Sequence, residues 1–239
     1  MSVLRFENVT KKYADKVAVN ALSLEINEGE ICAFIGHNGA GKTTAIKACC
    51  GILPFEEGDI YINGHEIKRE PLACKRDLAY IPDNPDLYDF MTGIAYLNFV
   101  ADIFGVSAEK RSEKIKTLSE ALSLTRDLAE PISAYSHGMK QKLAVIAALL
   151  HEPRLWIMDE PFVGLDPKAS HTLKELMREF TASGGAIFFS THVLEVAEKL
   201  CDKVAIIRNG KLIVSGKMDE VRGDASLEEV FLELVENED

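Results

Sequence analysis

The chain has 239 residues, is 47% hydrophobic and carries a formal net charge of −11 at pH 7. That length buries a sizeable core in one domain, or in one domain with lobes, and the composition excludes disorder and low complexity. The negative charge argues against affinity drawn from phosphate neutralisation, so neither nucleic acid nor a bare anionic membrane surface is an expected partner.

The amino-terminal stretch alternates apolar and polar residues, first through Val3, Arg5 and Glu7 and then from Ala18 to Ile26. With the hairpin signal Tyr61-Ile62-Asn63-Gly64-His65, it predicts an antiparallel sheet region. Between the two lies an apolar strand, Ile31 to Ile35, followed by Gly36-His37-Asn38-Gly39-Ala40-Gly41-Lys42-Thr43-Thr44. This is a complete GxxxxGK[ST] phosphate loop. Gly36, Gly39 and Gly41 let the backbone turn so that successive N–H groups converge on β and γ phosphates. Lys42 adds a point charge and Thr43 offers a hydroxyl to Mg²⁺. The helix starting there presents its unpaired N–H groups and positive dipole end to the same anion. Binding of a nucleoside triphosphate follows.

From Thr92 to Leu124 the apolar period becomes helical, through Ile94, Leu97, Phe99 and Val100 and then Ile115, Leu118 and Leu122, which predicts an all-helical lobe. Ser136 is a good N-cap for a further helix running to about Leu150. Its apolar run, Leu143 to Leu150, is the longest in the chain and far short of the roughly 18 residues of a membrane span. A second exposed helix terminus is redundant for a triphosphate already served by the phosphate loop, unless it meets another nucleotide.

The strand-like Leu155 to Met158 and Ala186 to Ser190 alternate with the helical Lys168 to Phe180 and Val193 to Leu200, the pattern of a parallel sheet with crossover helices. The first of these strands ends in Asp159-Glu160. At the carboxyl edge of such a sheet both acids face the ligand: Asp159 would hold Mg²⁺ through its water shell, and Glu160 would polarise the attacking water. A hairpin turns at Asn209-Gly210, a short helix starts near Ser226, and the acidic tail Glu236 to Asp239 is expected to fray. Five cysteines, with no CxxC pair among them, indicate neither a disulfide framework nor a zinc site. The amino terminus lacks a signal-peptide apolar region, so a cytoplasmic location is expected.

In this order the motifs resemble the ATP-binding subunit of an ABC transporter, of the exporter-like bacterial branch, over nearly the full chain. The resemblance implies an α/β fold, a P-loop NTPase of ABC type: a mixed core sheet with parallel strands, an antiparallel β subdomain and an α-helical lobe. It implies a single cassette over 1–239, divided into 1–84 (β subdomain and phosphate-loop core), 85–152 (helical lobe with the signature helix) and 153–239 (catalytic core with the terminal hairpin and helix). Tyr13 corresponds to the aromatic that stacks on adenine, and Gly36 to Thr44 to Walker A, with Lys42 catalytic. Ser136, His137, Gly138 and Met139 stand in place of the LSGGQ signature. Asp159 and Glu160 complete Walker B. Asp166, in Gly164-Leu165-Asp166, resembles the D-loop, and His192 in Ser-Thr-His the switch histidine. ATP and Mg²⁺ are the implied cofactors. The implied partners are a second cassette, paired head to tail as homodimer or heterodimer, and a transmembrane permease on a separate chain, at the inner face of the cell membrane.

Two departures stand out. Asp83, in Tyr80-Ile81-Pro82-Asp83-Asn84-Pro85, replaces the usual glutamine and is expected still to reach the metal as a harder, charged ligand. His137 and Met139 replace a glycine and the glutamine of the signature, leaving the backbone donors in place. Two other functions are compatible with a nucleotide-binding cassette: a clamp on soluble machinery, and a nucleotide-gated interaction module with little turnover. Only 94 positions separate Lys42 from Ser136, which leaves room for the helical lobe but for no long coiled coil. Glu160 and His192 would be dispensable for binding alone.

Overall fold

A computed structural model describes residues 1–14 and 16–236. Of the acidic tail, residues 237–239 lie outside the described residues. Strands β1 (Ser2–Tyr13), β2 (Lys16–Asn27), β4 (Glu57–Ile62) and β5 (His65–Glu66) form an antiparallel sheet in the order β2-β1-β4-β5. The turn at Asn63-Gly64 has both residues at positive φ, 49° and 84°, as a tight hairpin requires.

The second sheet contains β3 (Ile31–Ile35), β6 (Leu78–Ile81), β7 (Leu155–Asp159), β8 (Ala186–Thr191), β9 (Lys203–Arg208) and β10 (Lys211–Lys217), in the order β10-β9-β3-β8-β7-β6. All neighbours run parallel except the β9–β10 hairpin, turning at Asn209-Gly210 as expected. The buried strands are mostly apolar because each faces a different core on alternate residues. In β3, Ile31, Ala33 and Ile35 join the helical side, whereas Cys32 and Phe34 join the core shared with the antiparallel sheet. Phe188 stands in that inner core between Phe34 and Phe6, with ring centroids 5.2 and 6.0 Å away. All five cysteines are free and buried.

Helix α1 (Lys42–Cys49) follows β3 directly, and α2 (Pro71–Asp77) leads into β6. Neither α2 nor β6 carries a signal of its own in the sequence. Tyr80 and Ile81 are strand residues in register with Ile157 and Met158, and Asp83 lies in the turn that follows. A four-residue apolar run carries no period of its own. Its strand character comes from pairing with β7.

Helices α3 (Gly93–Ile103), α4 (Ala108–Ala121) and α5 (His137–Leu149) make the helical lobe; α6 (Pro167–Ala182) and α7 (Leu194–Leu200) pack on the sheet. Short α8 (Met218–Arg222) and α9 (Leu227–Glu236) end the described chain. Side-chain caps start the lobe helices, from Thr92 to the Ala95 N–H, Ser107 to Lys110 and Ser136 to Met139.

Within the lobe, α4 is tied to the residues after α5 at Glu152, whose carboxylate accepts from Lys110 at 2.8 Å and pairs with Lys114 at 3.0 Å. Hydrogen bonding to Lys110 first, and then to Lys114, holds this carboxyl at about 2 instead of 4.5. The folded value lies below the unfolded one, so the stabilisation is full above pH 4.5 and disappears as pH falls towards 2. A Glu152→Gln variant should therefore melt slightly below the parent at neutral pH, with the gap closing in acid. A gap that ignores pH would contradict the pairing. The effect is small because the pair is largely exposed.

Candidate nucleotide-binding and hydrolysis site

The loop after β3 passes so close to the end of β9 that a Cβ on Gly36 would lie 2.4 Å from the Ile207 carbonyl oxygen, and one on Gly41 2.4 Å from that of Ala18. Gly39, at φ +81°, faces open space. The loop therefore curls into a cradle that side chains would fill. Lys42 is buried within it, donating from Nζ to the Gly36 carbonyl at 2.6 Å and the His37 carbonyl at 3.3 Å. Burial lowers its pKa, opposed by the nearby charges of Glu160 and Asp159.

A cavity of about 570 Å³ opens over this loop. Tyr13, His37, Asn38, Gly39, Gly41, Lys42, Thr43, Thr44, Asp83, Asp159 and Glu160 all border it. Gly36 and Ala40 complete the loop, Ala40 being buried beneath it. Tyr13 stands half exposed at the rim beside Lys16 and Ala18, with the Lys11 ammonium 5.3 Å from its ring centre.

The Walker B acids are oriented by a residue that sequence reasoning passed over. Buried Ser190 donates from Oγ to Asp159 Oδ1 at 2.5 Å and accepts the Glu160 N–H at 3.0 Å. Its carbonyl takes the same N–H at 3.2 Å. One serine thus holds the Asp159 carboxylate and the Glu160 backbone across β7 and β8. Glu160 sits at φ +49°, a left-handed backbone that costs a glutamate on the order of 1 kcal/mol and persists where the surroundings over-determine it. Its Oε2 meets His192 Nδ1 at 2.9 Å, and while Glu160 is 15% exposed, His192 is 60% exposed. Ser190 lay within the quoted Ser-Thr-His, but nothing local in that tripeptide reveals a bond to the preceding strand.

Ser136, His137, Gly138 and Asp166 do not border the cavity. They form a second cluster. A Cβ on Gly138 would lie 2.9 Å from the Gly164 carbonyl oxygen, and one on Gly164 only 2.3 Å from the His137 ring. The His137 imidazole therefore lies against Gly164 while staying exposed to solvent. Asp166 caps α6 through the Ala169 N–H at 2.8 Å. Buried Gln141, one turn into α5, donates to the Asp83 carbonyl at 2.9 Å, tying the signature helix to the loop that borders the nucleotide cavity.

A phosphate cradle between a parallel strand and helix, with an oriented Asp-Glu pair on a nearby parallel strand, defines a P-loop NTPase. Residues 19–163 match the ABC transporter family. The chain is 34% identical to the ABC-type transporter ATP-binding protein EcsA of Bacillus subtilis (strain 168), over all of this chain and 98% of that protein. A solved structure of an ATP-binding subunit of an ABC transporter superposes with a TM-score of 0.94 at 37% identity, covering 98% of this chain and 100% of the other. The dimeric post-hydrolysis structure of the ATP-binding cassette MJ0796, bound to ADP and Pi, shares the fold, with a TM-score of 0.82 at 22% identity over 90% and 98% of the two chains.

The chain belongs to the ABC transporter family. It is an ATP-binding subunit that hydrolyses ATP to power membrane transport. Among the described residues no helix is long and apolar enough to cross a membrane.

Proposed function

We propose that two cassettes, this chain and a second copy or close relative, pair head to tail with Mg·ATP at the seam. Ser136 and the N–H groups near Gly138 of one cassette contact the γ phosphate held by the other, and Asp166 lies beside them. The observation that carries this reading is the position of the signature helix start, away from this chain's own cavity. Residues 1–84 then hold the nucleotide, 85–152 carry the signature and the docking face, and 153–239 supply Asp159, Glu160 and His192.

The donor set fits a magnesium ion brought in on the nucleotide. Among the described residues no group of three or more His, Cys, Asp or Glu could hold a metal, as expected where phosphates and water complete the shell. Thr43, Asp159 and Asp83 would hold the ion. When bound, it would offset the charge of the phosphates. Lys42 exchanges the Gly36 and His37 carbonyls for phosphate oxygens, and Tyr13 stacks on the adenine. Glu160 takes a proton from the water that attacks the γ phosphorus, while His192 holds that carboxylate in place from Nδ1 and reaches the γ phosphate.

A permease on a separate chain docks on the helical lobe beside Asp83, at the inner face of the membrane. There Tyr88 packs on Phe90 and Phe99 with ring centroids 5.8 and 5.7 Å apart, and Phe90 is 85% exposed. Exposed aromatics of this kind are common interface anchors.

The test is Ser136→Asp. Aspartate keeps the N-cap but sets a negative charge against the partner's triphosphate. ATP binding by the monomer should be unchanged, and ATP-dependent dimerisation, followed by light scattering in a hydrolysis-deficient background, should be lost. Full dimerisation would overturn the head-to-tail arrangement.

A further inference from the structure

Tyr80 lies in β6 and lines two cavities. It borders the nucleotide cavity together with Lys42, Asp83 and Asp159. It also walls the apolar groove between core and helical lobe, beside Cys50, Tyr96 and His151. Its hydroxyl oxygen is buried and has no hydrogen-bond partner. Leaving such a group unpaired is unfavourable, and packing alone would be served as well by phenylalanine. Buried O–H groups without a protein partner mark places where water or a ligand completes the bonding. Burial raises the pKa of this phenol, reinforced by Cys50, Asp159, Cys49 and Asp83 around it. It is therefore a neutral donor. Asp159 accepts from Ser190 through Oδ1, and Asp83 is exposed in the same cavity.

We propose that Tyr80 is a positioning residue for the metal-bound nucleotide: its hydroxyl gains an acceptor only when ordered water stands between it, Asp159 and Mg·ATP. The inference rests on the nucleotide reading above and adds a residue to it. The phenol serves the metal complex and not the nucleotide alone, because the residue borders the cavity together with Asp83 and Asp159. Bare ATP held by the phosphate loop gives it nothing to bond.

The experiment is equilibrium binding of a fluorescent ATP analogue to the full chain and to Tyr80→Phe, once with Mg²⁺ and once with EDTA. The variant should bind the magnesium complex about 5- to 30-fold more weakly, the range of one buried hydrogen bond, and the metal-free analogue within twofold of the parent. Equal binding in both arms overturns the proposal, as does an equal loss in both, which would indicate a structural role alone. Thermal unfolding without nucleotide checks the fold, where Tyr80→Phe should be no less stable than the parent because it removes an unpaired polar atom. Tyr80→Leu provides a second variant lacking the hydroxyl, expected to show the same metal-dependent loss. If the parent itself fails to bind Mg·ATP, the nucleotide reading fails. If the parent binds and the variant matches it, only the role of Tyr80 fails.

Discussion

Glu160→Gln is expected to lower steady-state ATP turnover by about 10²–10⁴-fold, the usual weight of a positioned general base, while ATP binding stays close to that of the parent. The amide has the same shape as the carboxylate and still accepts from His192 Nδ1, which now meets Glu160 Oε2 at 2.9 Å. The backbone bond to Ser190 is untouched. What disappears is the capacity to receive a proton from water. Phosphate release measured beside nucleotide binding separates the two, and a loss below tenfold would remove Glu160 from the role of base. The same variant should accumulate an ATP-stabilised dimer, since the group joining the halves is no longer cleaved.

Lys42→Met should give the opposite pattern, with binding lost and the free protein intact. The lysine is buried, and burial lowers its pKa against the pull of Glu160 and Asp159. Replacing that buried charge with an apolar chain of similar length is therefore neutral or stabilising for the free fold. Each charge-assisted bond to phosphate contributes about 1.5–3 kcal/mol, so ATP affinity should fall by roughly 10- to 100-fold or more. Differential scanning fluorimetry reads both effects at once: an unchanged or raised melting temperature without nucleotide, and no upward shift when ATP is added at concentrations that shift the parent. Retention of that shift would mean the ammonium does not reach the phosphates.

The parts of this fold that were legible in the sequence carry their own local signal. The phosphate loop has a glycine pattern that only a cradle requires, β3 and β7 are continuous apolar runs, and α5 begins with a capping serine. Strand β6 and helix α2 escaped detection because each is short, and because β6 owes its existence to Leu155–Met158 beside it. Among site residues, those on one contiguous motif were found and those acting across strands were not. Ser190 holds the Asp159 carboxylate thirty-one positions earlier, Gln141 holds a carbonyl fifty-eight positions earlier, and the unpaired hydroxyl of Tyr80 appears only once its neighbours are placed. The seat of His137 on Gly164 belongs to the same group. A resemblance to glycine-bearing signatures gives no place for a ring, because the space it occupies is made by a loop from another element.

Helix α9 extends this dependence on distant sequence. Phe231 lies against His37 of the phosphate loop, with ring centroids 5.1 Å apart. Phe231 and His192 share the wall of a small hollow behind that loop. Arg208 secures the helix by donating to the Leu234 carbonyl at 3.3 Å. The nucleotide cradle thus has a back wall built from the last helix. Truncations and tags placed beyond Ser226 are in effect edits to that wall, and catalytic comparisons between differently trimmed preparations would confound the two.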